Sequence, residues 1–235
     1  MNTNYTNFIY YDIINTLCYL EKIGIQEIEI SDKSIDILKK WKTSNIFNCN
    51  RNFESLSDIE KDIINCKKCK LHLNRKNTVF GYGKDNALLL FLGDFPENED
   101  DLQGLPFVGK SGQLLDKIIS AMKLKRDSVY LCNVLKCKPE NEQQVDINYS
   151  YYCFNFLKRQ IQTIKPKFIC ALGEFALKSL IKMDNDFSEL RGNFYNYYGI
   201  KVMSTYHPRI LINNPELKKE VWEDIQKLMY EIKLL

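Results

Sequence analysis

Four short runs that are apolar on nearly every residue constrain the fold of this chain more than anything else in it. They are Ala87–Gly93 (ALLLFLG), Val129–Asn133 (VYLCN), Phe168–Leu172 (FICAL) and Ile200–Thr205 (IKVMST). A strand with apolar residues on both faces has to be covered on both. That is the condition of a parallel sheet with helices on either side, not of a half-solvated hairpin. Helix-period segments separate the runs: Gln113–Met122, Asn148–Ile164 (stopping before Pro166), Glu174–Ile181 after Gly173, and Glu216–Leu235. The pattern predicts an α/β fold, a three-layer α/β/α sandwich around a central four-stranded parallel sheet. Upstream, residues 8–23 and 31–42 have helical periodicity, and residues 43–56 are polar and Asn-rich. Residues 1–55 therefore read as an N-terminal helical extension, and 56–235 as the main domain.

Composition narrows the class. The chain of 235 residues is 45% hydrophobic and 27% charged, the balance of a globular protein. No stretch has the length of uncharged apolar sequence that a membrane span needs. The N-terminus has no basic residue ahead of its apolar part, unlike a signal peptide, so a cytoplasmic location is expected. Residues 1–60 hold six basic and nine acidic side chains, and residues 61–235 hold 27 and 21. The basic excess thus lies wholly outside the extension, where a polyanion site would use it.

Parallel sheets bind ligands beyond the carboxyl ends of their strands. The first strand ends in Gly93-Asp94-Phe95-Pro96-Glu97, an acidic turn whose plain reading is a solvated loop. Gly104-Leu-Pro-Phe107-Val-Gly109-Lys-Ser-Gly112 follows, rich in glycine and leading into a helix, which suits a phosphate. It fits the bare nucleotide-loop pattern, but no buried strand immediately precedes it, as that loop requires. The second strand ends at Asn133, whose amide offers a donor and an acceptor, either for a nucleobase edge or for capping a turn. The fourth ends in Tyr206-His207-Pro208-Arg209, with His207 at the sheet mouth. The other histidine, His72, lies in a polar basic stretch and is expected to be exposed.

Eight cysteines are present. Cys18, Cys132 and Cys170 sit in apolar runs as small core residues do. Cys66 and Cys69 form Cys-Lys-Lys-Cys, where two thiolates can grip one metal centre. With Cys137 and Cys153 they make four candidate ligands. Their spacing leaves zinc, an iron–sulfur cluster and no metal all open.

Taken in order, these segments resemble a known family. Cys66-x-x-Cys69, Gly93-Asp-Phe-Pro, the Gly104–Asp116 segment, Asn133-Val-Leu-Lys-Cys137-Lys-Pro, Cys153, Ala171-Leu-Gly173, Leu190-Arg-Gly192 and Thr205-Tyr-His-Pro208 are similar, in order and spacing, to the family 4 iron–sulfur uracil-DNA glycosylases. The likeness runs from about Leu56 to the C-terminus. It implies a [4Fe–4S] cluster on Cys66, Cys69, Cys137 and Cys153. It implies an enzyme acting on uracil-containing DNA, flipping the base out and hydrolysing its N-glycosidic bond; separately from the resemblance, a monomer is expected. Phe107 would stack on the uracil, Asn133 read its edge and His207 donate to its oxygen. Asp94 would face the sugar or the water, with Gly93 and Phe95 lining the pocket. Lys136, Lys138 and Arg209 would meet DNA, and Leu211 would wedge into the vacated stack. The family's first loop is Gly-Glu-Ala-Pro-Gly, so Asp94, Phe95 and Glu97 are departures here. They motivate the alternative of a non-catalytic or altered-specificity DNA-binding module that keeps the fold and the cluster.

Overall fold

All four apolar runs become neighbouring strands. A computed structural model describes residues 31–33, 54–141, 145–181, 183 and 185–234. The helix expected at 8–23 lies outside them, as does all of the one at 31–42 except residues 31–33. The unit Asn52–Leu235 carries everything that follows. Its helices are α1 (Leu56–Ile64), α2 (Asn98–Gln103), α3 (Lys110–Ala121), α4 (Asn148–Ile164), α5 (Glu174–Leu180), α6 (Phe187–Leu190), α7 (Pro208–Asn213) and α8 (Lys218–Ile232). Its strands are β1 (Tyr82–Gly83), β2 (Leu89–Gly93), β3 (Tyr130–Asn133), β4 (Phe168–Leu172), β5 (Phe194–Tyr197) and β6 (Ile200–Thr205).

The sheet has six strands in the order β1-β3-β2-β4-β6-β5, which corrects the expected count of four. The predicted strands β3, β2, β4 and β6 are mutually parallel, with Phe91 beside Leu131 and Cys170. The two additional strands are antiparallel edges. β1 is two residues long, and β5 is mostly solvated, so neither has the continuous apolar run that marks a central strand.

Alternate residues of β2 feed two separate cores, as the two-residue period of a strand requires. Leu90 and Leu92 pack with Leu157 and Ile161 of α4 and Leu177 of α5. Leu89 and Phe91 pack with Leu115 and Ile119 of α3 and with Val221, Ile225 and Leu228 of α8. Each such buried side chain stabilises the fold by about 1.5–3 kcal/mol over leaving it in water. A charge at Leu92, which has no exposed surface, would therefore break the sheet at its centre.

β2 and β4 are adjacent, but the chain leaves them toward opposite edges, to β3 and to β6 respectively. The gap between their carboxyl ends is thus the switch point where such sheets hold ligands. Gly93-Asp94 lies on one side of it and Gly173-Glu174 on the other.

The acidic run 97–101 is not a solvated loop. It forms the turn into α2 and the helix itself, with Asp100 and Asp101 buried. Asp100 accepts from the Val108 and Glu97 amides at 2.8 and 3.2 Å. Asp101 accepts from the Lys76 and Asn77 amides at 3.0 and 3.2 Å. These carboxylates tie α2 to the segments on either side of it.

Candidate active site

Phe107 is presented by backbone geometry. Its φ of 56° lies in the left-handed region, which costs an aromatic residue energy and persists only where the surroundings impose it. Two contacts impose it here. Asp100 holds the next amide, and Gly112 lets α3 sit directly on the Phe107 backbone, since a Cβ on Gly112 would stand 1.8 Å from the Phe107 carbonyl oxygen. The glycine-rich segment thus serves Phe107. It follows α2, not a strand, and so is no nucleotide loop.

The Phe107 ring faces Gly93. A Cβ on Gly93 would lie 2.5 Å from Phe107 Cζ and 2.3 Å from Asn133 Oδ1. The missing side chain therefore leaves a space bounded by an aromatic ring and an amide. Asn133 is only 1% exposed, and neither its Oδ1 nor its Nδ2 has a hydrogen-bond partner. A buried amide unsatisfied at both atoms costs several kcal/mol and signals a missing ligand.

His207 lies against the same ring, 5.9 Å between centroids with planes 25° apart. Its Nδ1 accepts from the Arg209 amide at 3.1 Å, so the proton of the neutral ring sits on Nε2. Nε2 is buried and has no partner. Burial first, then the nearby Arg209 charge, pushes the imidazole well below its usual range. At neutral pH His207 is an uncharged N–H donor.

Asp94 closes the other side. Its Oδ1 accepts from the Ala176 amide at 3.1 Å and its Oδ2 pairs with Arg209 Nη2 at 3.3 Å. A Cβ on Gly173, whose φ is 98°, would stand 3.1 Å from Asp94 Oδ1 and 3.4 Å from His207 Cβ. Burial raises the carboxyl to about 7 against the pull of Arg209. Arg209 also lies 3.7 Å from Glu97 and 4.3 Å over the Phe95 ring. Phe95 itself is buried in the core, edge-on to Phe175.

A second site forms around the cysteines. Ser55 caps α1 and Asp58 reciprocates, and the helix delivers Cys66 through a bond from its amide to the Ile63 carbonyl. Cys66, Cys69, Cys137 and Cys153 line one cavity together with Lys68, His72, Arg75 and Lys136. Arg75 Nη1 donates to Cys137 Sγ at 3.0 Å. Burial pushes the Cys69, Cys137 and Cys153 thiols up, Cys153 to about 12, so an occupant must supply positive charge to hold thiolates there. Among the described residues no group of three or more His, Cys, Asp or Glu gathers tightly enough for one metal ion. Four thiols from three chain segments on one cavity make a donor set that an iron–sulfur cluster would accept.

Comparison with known proteins agrees with this geometry. A family model described as the uracil DNA glycosylase superfamily matches residues 80–226. A type-4 uracil-DNA glycosylase of Archaeoglobus fulgidus is 37% identical over 183 residues, 74% of this chain and 92% of that protein. The type-4 enzyme of Thermotoga maritima is 37% identical, covering 77% of this chain and 96% of its own length. That of Sulfurisphaera tokodaii is 39% identical, with 74% and 84% covered. The chain belongs to the type-4 uracil-DNA glycosylases of this superfamily.

Of the residues expected at the site, Gly93, Asp94, Phe107, Asn133 and His207 come together, and the four cysteines share their cavity. Four others sit differently. Phe95, expected to line the pocket, lies in the core against Phe175. Lys136 is 1% exposed and its Nζ donates to the Asn133 and Phe80 carbonyls at 2.7 and 3.3 Å, so it faces inward, away from any phosphate. Leu211 is 1% exposed in the α3–α8 core, because the α7 turn rotates it inward, while Ile210 and Ile212 stand 38% and 43% exposed beside it. Arg209 turns to the acidic loop. Lys138 is half-buried. His72 is half-buried rather than exposed, with Nδ1 2.6 Å from the Cys69 carbonyl. The sequence reading missed Asp100, Gly112, Gly173 and Arg75 as site residues. Gly112 and Gly173 lay in quoted motifs, and Arg75 lay close to the Cys-x-x-Cys pair, whereas Asp100 had no signal beyond its acidic run.

Proposed function

We propose that the pocket bounded by Phe107, Asn133 and His207 binds a flipped-out uracil and that the enzyme hydrolyses the bond joining it to deoxyribose in DNA, as a repair glycosylase. One observation carries the reading: three buried polar atoms, Asn133 Oδ1, Asn133 Nδ2 and His207 Nε2, lack partners around one aromatic ring. Uracil presents an N–H between two carbonyls. Asn133 can accept from that N–H and donate to one carbonyl, while His207 donates to the other. Phe107 supplies the face on which the base stacks, offsetting part of the few kcal/mol needed to unstack it.

Breaking the N-glycosidic bond leaves its electrons on the base, and a water completes the sugar. Negative charge grows on the uracil carbonyl as the bond lengthens, so the His207 donor stabilises the transition state more than the ground state. A neutral donor suits this role, because its proton remains on Nε2 throughout. The Asp94 carboxylate stands opposite, able to accept from the attacking water and to balance the cationic sugar. Each of its oxygens keeps a free lone pair.

The cysteine cavity would hold a [4Fe–4S] cluster on Cys66, Cys69, Cys137 and Cys153, whose part is to pin three chain segments together. The layered α/β/α arrangement then has one open end, where Lys138 and the apolar Ile210 and Ile212 would meet the duplex. Ile210 or Ile212, not Leu211, has the exposure a wedge between bases requires. The module without catalysis is not favoured. Phe95 lies in the core and Glu97 pairs with Arg209, so neither fills the space at Gly93.

The test is release of uracil from a labelled single-stranded oligonucleotide by anaerobically purified protein, beside His207→Ala. Release by the parent and its loss in the variant are expected. No release by protein with its cysteine site filled would overturn the reading.

A further inference from the structure

The three departures in the first loop are not independent, because one side chain from beyond β6, two strands away, touches all of them. Arg209, on α7, stacks 4.3 Å over the Phe95 ring and lies 3.3 Å from Asp94 and 3.7 Å from Glu97. Its own amide fixes the His207 ring at 3.1 Å. A guanidinium is planar, weakly hydrated and always charged, so it can stack on a ring and pair with two carboxylates at once. Once Asp94 is ionised, Asp94, Glu97 and Arg209 together carry one net negative charge, the sign a cationic sugar favours.

We propose that Arg209 is a positioning residue for this reaction: clamped by Phe95 and Glu97, it holds the Asp94 carboxylate charged and in place, instead of gripping a DNA phosphate. The inference rests on the glycosylase reading above. The groups facing Asp94 are few. Arg209 approaches from α7, and the Ala176 amide and the Glu174 carboxylate from α5. Glu97 comes from its own loop, and His207, uncharged, across Gly173. Arg209 is the cation of this set. Without it burial and two carboxylates all favour a protonated Asp94, which could neither take a proton from water nor balance a cationic sugar.

The experiment is the pH profile of kcat/KM for uracil release, with KM and salt dependence recorded at each pH. The parent should gain activity through an acidic limb near pH 7 as Asp94 ionises. Arg209→Gln should move that limb up by about one to three pH units, so that the loss at neutral pH is about tenfold or more and is recovered in alkali. Arg209→Lys should keep the limb near that of the parent. Glu97→Gln should move it the opposite way, because it removes an anion from beside Asp94 while leaving the arginine. If Arg209→Gln does not fold, Arg209→Met, whose apolar chain can still cover the Phe95 ring, carries the test with the same expected upward shift of the limb. An equal loss for Arg209→Gln at every pH overturns the proposal. So does a raised KM with a shallower salt dependence, the mark of a phosphate contact. An unmoved limb in Glu97→Gln also overturns it. No release by the parent overturns the glycosylase reading itself, whereas an active parent with unmoved limbs overturns this inference alone.

Discussion

His207 is placed to donate because a backbone amide two residues on occupies its other nitrogen. Replacing it by Ala should lower uracil release by about 10²–10³-fold, the usual cost of losing one aimed donor, with the thermal midpoint little changed. Asp94 makes a second prediction, in stability. Its carboxyl is raised from the ordinary carboxylate range to about 7, so folding favours the protonated form. The stabilisation this gives is full in acid and is lost as pH rises toward neutrality. Asp94→Asn should therefore melt higher than the parent in mild alkali by the equivalent of roughly 1–2 kcal/mol, show little difference in acid, and excise far less uracil. Melting curves at the two pH values check it. His207 and Asn133 were legible in the sequence because both end apolar strands, where ligands bind. The inward turn of Arg209 was not. Its partner Asp94 lies 115 residues away, and no local pattern carries a contact of that range.

Among the elements, the central strands were the easiest to read, since burial on both faces leaves an unbroken apolar run such as Leu89–Gly93. The edge strands and the short helices were hidden for the opposite reason. β5 is half solvated, and α2 reads as acidic loop until its carboxylates are seen capping the amides of neighbouring segments. α3 shows how an element makes a site. Its glycine at position 112 exists so that the helix can press on the Phe107 carbonyl. Gly112→Ala should displace the ring and lower excision at least tenfold. Gly104→Ala is the contrast. Gly104 has a φ of 70°, but a Cβ at that position would meet nothing nearer than 3.6 Å. That change should cost about 1–2 kcal/mol of stability while leaving pocket affinity intact. Free-uracil binding measured beside thermal unfolding separates the two.

At the scale of the whole molecule, the pocket and the cysteine cavity share a wall. Lys136 lines the cavity, and its ammonium grips the carbonyl of Asn133, whose amide faces the pocket. Cys153→Ser should yield protein without the visible colour of an iron–sulfur centre. It should melt several degrees lower and bind uracil more weakly, since the strand end carrying Asn133 loses its anchor. Iron and sulfide analysis, melting and base binding together check this. Cysteine spacing alone could not choose the metal, because four thiols serve zinc and an iron–sulfur cluster alike. The Arg209 contacts also bear on how such a chain could have arisen. Removing the arginine first would strand two carboxylates beside each other under an uncovered ring, whereas removing Glu97 first leaves a matched pair. The two losses are thereby unequal: the arginine tolerates the departure of the second acid better than the paired acids tolerate the departure of the arginine.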